Sequence, residues 1–171
     1  HRTPVTEPSG PPRLVYGSQS LLHLKNGKVD ERAAAQGPMP ELGSELVGAL
    51  RQIGAGATTT LASAALWLGS GGSVTPLHYD TSHNVYVQLH GAKRFQLLPP
   101  SAAAKAHLYP SLHPGYRQSL LDISAPALAG SNSSKAAKAA HDLATSALTV
   151  TLWPGDALIL PPYWLHSVEA L

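Results

Sequence analysis

The stretch Thr75–Pro100, T-P-L-H-Y-D-T-S-H-N-V-Y-V-Q-L-H-G-A-K-R-F-Q-L-L-P-P, constrains the fold more than any other part of the chain. Val85-Tyr86-Val87-Gln88-Leu89 is an alternating, β-rich run. A turn at His90-Gly91 follows, then a second such run, Lys93-Arg94-Phe95-Gln96-Leu97-Leu98. Two runs of this kind joined by a short glycine-containing loop predict a β-hairpin. Just ahead of it, His78 and Asp80 are separated by one residue. If Val74–Asp80 is extended, positions i and i+2 point to the same side, and an imidazole and a carboxylate converge on one spot.

A second block near the C-terminus belongs with the first: W-P-G-D-A-L-I-L-P-P-Y-W-L-H, Trp153–His166. Pro154-Gly155-Asp156 reads as a turn, Ala157–Leu160 as a short buried strand, and His166 as the opening of the next extended piece. Two histidines and one carboxylate on strands of a small β-barrel make a facial triad. Such a set holds Fe(II) and leaves coordination positions open for substrates and oxygen.

These residues carry a family resemblance. T-P-L-H-Y-D (Thr75–Asp80), N-V-Y-V-Q-L-H-G-A-K-R (Asn84–Arg94), L-L-P-P (Leu97–Pro100) and P-G-D-A-L-I-L-P-P-Y-W-L-H (Pro154–His166), with A-L-W-L-G (Ala65–Gly69) before them, stand in the expected order. Together they resemble the JmjC/cupin-type oxygenases that use Fe(II) and 2-oxoglutarate, with the nearest likeness to the factor-inhibiting-HIF type of asparaginyl hydroxylase and related small JmjC protein hydroxylases. An isolated H-x-D is a weak signal; H-x-D with the lysine at this offset and the P-G-D…W-x-H block behind it is a strong one. The resemblance implies a mainly β fold, a double-stranded β-helix (the jelly-roll or cupin barrel) with flanking α-helices. Short strands separated by Gly/Pro turns fit that architecture independently.

The totals set outer limits. At 171 residues the chain reads as one JmjC-type domain with a core of ordinary size. A net charge of +2 and the lack of any Lys/Arg run give no reason to expect nucleic acid. There is no cysteine, which excludes disulfides and thiolate zinc sites. No apolar run reaches membrane-spanning length, and a cytoplasmic or nuclear location is the expectation. The chain opens on His1 and stops at Leu171, so both ends read as cut.

Along the chain, residues 1–12 read as an irregular Pro/Gly-rich arm, Leu14-Val15-Tyr16 as a short strand and Lys25-Asn26-Gly27-Lys28 as a turn. A short helix fits Asp30–Gln36. Leu42, Leu46, Val47, Leu50 and Ile53 recur at helical spacing and predict a helix over Pro40–Ile53 that packs on the barrel. Thr58–Leu68 reads as a strand, and Gly69–Ser73 as a plain turn, since it lacks the Gly-Lys-Ser/Thr ending of a phosphate loop. Ser101–His107 reads as a helix capped by Ser101. Leu108–Ile123 is irregular. Residues 125–134 read as a flexible low-complexity loop, and Lys135–Ser146 as an alanine-rich helix. Leu148–Leu152, Ala157–Leu160 and His166–Ala170 close the barrel.

The resemblance assigns roles residue by residue. His78, Asp80 and His166 become the iron ligands, although a lone strand histidine is more often packed or solvated. Lys93 pairs with the far carboxylate of 2-oxoglutarate; an inward-facing lysine needs an anion, whereas Arg94 suits a surface role. Thr75 is the hydroxyl partner of the same carboxylate, and Asn84 sits beside the iron and cosubstrate. Tyr86 shares a face with Asn84 and lines the pocket or packs the core. Trp67 does the same from another strand, and Tyr16 offers a phenol to the carboxylate. The remaining histidines read as solvated. Trp164 and Tyr163 read as packing at the barrel mouth.

The implied reaction converts 2-oxoglutarate and O2 to succinate and CO2 while hydroxylating a side chain of a protein or peptide. The alternatives are N-methyl-lysine demethylation, hydroxylation of a tRNA base, and a metal-binding cupin or binding module without turnover. Relatives of this type form homodimers through C-terminal helices this chain lacks, so the oligomeric state stays open at this level.

Overall fold

The computed structural model describes residues 15–22, 24–25, 28–29, 64–124 and 134–171, and strands are the commonest regular element in them. All pair antiparallel. The chain divides into two compact units, Val15–Gly69 and one that holds Ser70–Leu171.

In the first unit lie β1 (Tyr16–Leu22), β2 (Leu24–Lys25), β3 (Lys28–Val29) and β4 (Ala64–Gly69). β1 pairs with β4, opposing Ser18 to Trp67. β2 pairs with β3, opposing Lys25 to Lys28. The expected helices over 30–36 and 40–53, the arm at 1–12 and the loop at 125–133 lie outside the described residues.

The second unit contains β5 (Val74–Tyr79), β6 (Asn84–Val87), β7 (Lys93–Leu98), a 3-10 helix (Pro100–Lys105), α1 (Lys135–Ser146), β8 (Leu148–Leu152), β9 (Ala157–Leu160) and β10 (Leu165–Ala170). Four strands form one sheet in the order β5-β10-β7-β8, and β6 and β9 form a separate two-stranded ribbon. The result is the mainly β, antiparallel architecture of a cupin jelly roll. Among the described residues no helix is long and apolar enough to cross a membrane.

Strand alternation sorts side chains into two apolar layers. Leu77, Leu98 and Leu165 face α1 and the 3-10 helix, where they pack with Ala106, Leu121, Ile123, Ala140 and Leu143. The opposite face carries Phe95, Leu97, Leu152 and Val168, which pack with Leu160, Leu158, Tyr86 and Trp164. Phe95 is 1% exposed and meets the Tyr86 ring edge-on, centroids 5.0 Å apart. Phe95→Ala should therefore destabilise the domain by about 3–5 kcal/mol, read as a lower denaturant midpoint.

The expected hairpin does not form: its two runs become β6 and β7, but β6 pairs with β9, and β7 with β10 and β8, because each run finds its ladder partner in the C-terminal segment. Two local details also differ from expectation. The segment after Pro99 is a 3-10 helix beginning at Pro100, not an α-helix capped by Ser101; its cap residue is Pro99, and no side chain bonds the first turn. Proline suits a first helical position because that N–H has no intrahelical partner. The alanine-rich helix does form as expected, with Ser134 Oγ accepting from the Ala137 N–H.

The second detail bears on the site. β5 and β10 oppose His78 to His166 but Thr75 to Val168, so one extra residue of β5 bulges between them. Pro76 lies in the bulge, where its missing N–H breaks no ladder bond. Thr75 and His78 are three apart and would face opposite ways on a regular strand. The bulge returns both to the face that carries His166 and Val168, and Ser167 Oγ donates to the Thr75 carbonyl there at 3.1 Å.

Candidate metal centre

His78 and His166 are direct cross-strand partners on β5 and β10, with ring centroids 4.1 Å apart. Asp80 follows the last residue of β5. One ligand atom from each of His78, Asp80 and His166 lies within 4.8 Å of the others, and the set could hold a metal ion. The structure thus brings together residues that the sequence separates by more than eighty positions.

Each imidazole is oriented by its own backbone. The Nδ1 of His78 lies 2.8 Å from the Pro76 carbonyl, and that of His166 lies 3.1 Å from the Trp164 carbonyl. A carbonyl accepts only, so both Nδ1 atoms carry the proton and both Nε2 lone pairs are left for a ligand role. Asp80 is held by the Asn84 side-chain amide, which donates to Oδ2 at 2.7 Å. Its backbone carbonyl accepts from the Tyr163 N–H at 2.7 Å. Tyr163 reaches that position with φ of 65°, a left-handed backbone that costs a non-glycine residue about 1–2 kcal/mol. Its ring is half exposed and lies 5.8 Å from that of Tyr79, while Trp164 packs into the apolar layer.

Burial, then the neighbouring His78, pushes His166 below the ordinary imidazole range; the Trp164 carbonyl and Asp80 act in the opposite sense and lose. His166 Nε2 and Asp80 Oδ2 stand 3.8 Å apart, too far for a hydrogen bond. With the imidazole neutral they are not an ion pair but two donors aimed at one point. A neutral-His, carboxylate set with fixed tautomers is what a facial triad for Fe(II) asks for.

Lys93 opens β7 opposite Ala170 of β10 and Leu152 of β8, on the same face as His166. It is 8% exposed, and its Nζ sits 5.4 Å from the centre of the Tyr86 ring. No carboxylate pairs with it among the described residues. Arg94 points the other way and pairs with Glu169, as a surface cation should. Tyr86 and Asn84 share the inner face of β6, whereas Val85 and Val87 face outward. Tyr16 and Trp67 belong to the first unit, where their rings lie 5.8 Å apart.

The segment after the 3-10 helix contributes residues that periodicity passes over. Arg117–Ser119 lies along the open edge of β5: the Tyr79 N–H donates to the Arg117 carbonyl and the Ser119 N–H to the Leu77 carbonyl. Gln118 stands directly opposite His78, so its side chain leaves the same face of the sheet. Arg117 has φ of 75°, lies against the Tyr116 ring, and keeps a buried Nε with no hydrogen-bond partner among the described residues. The irregular composition of 108–123 gives no periodic signal for this pairing. His83, His90, His107, His113 and His141 are exposed, in keeping with a solvated reading.

Comparison with known proteins agrees with this geometry. The chain is 35% identical over 104 residues to Jumonji C domain-containing protein 5 of Drosophila melanogaster, covering 61% of this chain and 24% of that protein. It is 38% identical over 92 residues to tRNA wybutosine-synthesizing protein 4 of Neurospora crassa, covering 53% of this chain and 7% of that protein. It is 34% identical over 111 residues to Lysine-specific demethylase JMJ31 of Arabidopsis thaliana, covering 65% and 19% respectively. The chain therefore spans a quarter or less of the length of these relatives. The likeness holds for the JmjC group at large; a special nearness to the factor-inhibiting-HIF type is not what these relatives bring out. Residues 20–171 match the model of the cupin-like domain, and the chain belongs to that family, in its JmjC group.

Proposed function

We propose that the domain is an Fe(II)- and 2-oxoglutarate-dependent oxygenase that hydroxylates a side chain of a protein. The observation that carries this reading is Lys93, a residue 8% exposed and without a carboxylate partner among the described residues, on the same barrel face as His78, Asp80 and His166. Bound iron and 2-oxoglutarate would supply the oxidising power that turns O2, 2-oxoglutarate and a substrate C–H into succinate, CO2 and an alcohol.

The residues divide the work. His78, Asp80 and His166 hold the metal. Lys93 takes the far carboxylate, with Thr75 on the same face one inner step closer to the histidines. From Leu97, opposite His166, to Lys93 is four residues of β7, about 13 Å of backbone at roughly 3.3 Å per residue. The histidine and lysine side chains take up part of that span, and the remainder is on the scale of a five-carbon dicarboxylate. Phe95, Val168 and Tyr86 line the interval and keep water out. Asn84 fixes the Asp80 carboxylate, and Asn84→Ala should weaken divalent-metal binding about 10–100-fold, checked by Mn(II) titration. Gln118, at the open edge beside His78, supplies an amide to a polar substrate group.

A second reading is N-methyl-lysine demethylation, favoured by the likeness to the JMJ31 demethylase; modification of a tRNA base, suggested by the wybutosine relative, follows behind it. Incubation with peptide libraries, iron, ascorbate and 2-oxoglutarate separates them. Mass gain of one oxygen supports hydroxylation, loss of a methyl group supports demethylation, and no succinate above the no-iron control contradicts every oxygenase reading.

A further inference from the structure

Gln88 ends the inner row of β6 and is 4% exposed, unusual for an amide that is not a metal ligand. Its polar atoms are accounted for. Oε1 accepts from the Tyr86 hydroxyl at 3.2 Å, and Nε2 donates to the His90 carbonyl at 2.6 Å. Its backbone is tied on both sides as well, to the Asp156 carbonyl and the Gly155 N–H, each at 2.9 Å. Gln88 is therefore a fixed post, and the Tyr86 hydroxyl is moored to it.

The consequence falls on Lys93. The ammonium of a lysine as enclosed as Lys93 seeks any acceptor within reach, and the phenolic oxygen of Tyr86 belongs to the ring that Lys93 already approaches. While that hydroxyl is moored to Gln88, Tyr86 offers Lys93 its ring, edge-packed on Phe95, in place of its oxygen. A ring contact steadies the cation electrostatically without using its N–H donors, which stay available for an incoming carboxylate. That is preorganisation: the cation is held and its hydrogen bonds are unspent.

We infer that Gln88 is a positioning residue for 2-oxoglutarate: by holding the Tyr86 hydroxyl it fixes the tilt of that ring, and without it the ring tilts until the phenolic oxygen reaches the ammonium and competes with the cosubstrate carboxylate. This rests on the assignment of Lys93 as the carboxylate seat. The two partners then make opposite demands. Removing the post is harmful only while the ring carries a hydroxyl.

The test is a double-mutant cycle read by calorimetric titration of 2-oxoglutarate into Mn(II)-loaded protein, with melting curves to confirm folding. Gln88→Met is expected to weaken 2-oxoglutarate binding about tenfold, and the same substitution made on a Tyr86→Phe background is expected to cost less than about twofold. Gln88→Asn, one methylene shorter and unable to hold both partners, gives the same pattern should the Met variant fold poorly. An equal loss in both backgrounds makes Gln88 merely structural and overturns the inference, as does no loss in either. Failure of the wild-type protein to bind 2-oxoglutarate at all overturns the Lys93 assignment itself, and the inference with it.

Discussion

A Lys93→Met protein is expected to lose 2-oxoglutarate affinity by about 100-fold or more and, at the same time, to melt above the wild type. The two effects have one cause. Lys93 is buried with its ammonium against a ring and no carboxylate beside it among the described residues. In the unliganded protein that charge is a cost, offset in part by the Tyr86 contact. Methionine fills much the same volume and brings no charge, so the metal-free protein gains stability. A gain on the order of 1 kcal/mol raises the midpoint of a domain this size by roughly 2–4 °C. The bound state answers in the opposite sense. Removing one partner of a desolvated charge pair typically costs about 2–5 kcal/mol, and about 2.7 kcal/mol is already 100-fold in affinity. Titration of 2-oxoglutarate into Mn(II)-loaded protein, beside a melting curve without ligand, reads both. Affinity within a few-fold of wild type contradicts the assignment of Lys93. Lost affinity with a lowered midpoint makes the lysine structural, its effect on binding indirect.

The parts of this site that could be read from the sequence are those that depend on local order. Alternation over 84–98 gave two strands and their inner row, Asn84, Tyr86 and Lys93, but not their partners: β6 pairs with β9, and β7 with β10 and β8. The H-x-D spacing placed His78 beside Asp80, and the Pro-Gly-Asp turn marked the start of β9, with β10 the next extended piece after it. Alanine content was enough for α1. What stayed hidden depends on contacts between distant segments. The bulge at Pro76–Leu77 is defined only by β10 opposite it, so nothing local revealed that Thr75 would share a face with His78. Arg117–Ser119 reaches the site through backbone bonds to β5, which carry no side-chain signature. Gln88 carried no assignment from the sequence; its burial follows from the Tyr86 hydroxyl and the His90 carbonyl, one of which comes from the turn beyond the strand. The imidazole tautomers are set by carbonyls two residues earlier, a conformational fact rather than a compositional one.

Asp80→Ala should abolish succinate formation and lower divalent-metal affinity by more than the Asn84→Ala change does, while leaving the metal-free fold nearly as stable as before. The asymmetry follows from where Asp80 sits. Its side chain is more than a third exposed and lies at the end of β5, outside both apolar layers. Its hold on the backbone runs through its carbonyl to the Tyr163 N–H, which alanine keeps. What alanine removes is the only anionic donor of the three. Two imidazoles then remain, with rings 4.1 Å apart and no anionic donor to offset a divalent ion. Asn84 only holds that carboxylate in place, and outer partners of this kind are worth about 10–100-fold in metal affinity, so loss of the donor itself must exceed that range. Asp80→Asn sharpens the test, because an amide of the same shape keeps the packing and removes only the charge. If it binds Mn(II) as tightly as wild type, the three residues are neighbours and not ligands. If both variants bind metal weakly yet still release succinate at the wild-type rate, turnover arises somewhere other than the His78–Asp80–His166 group.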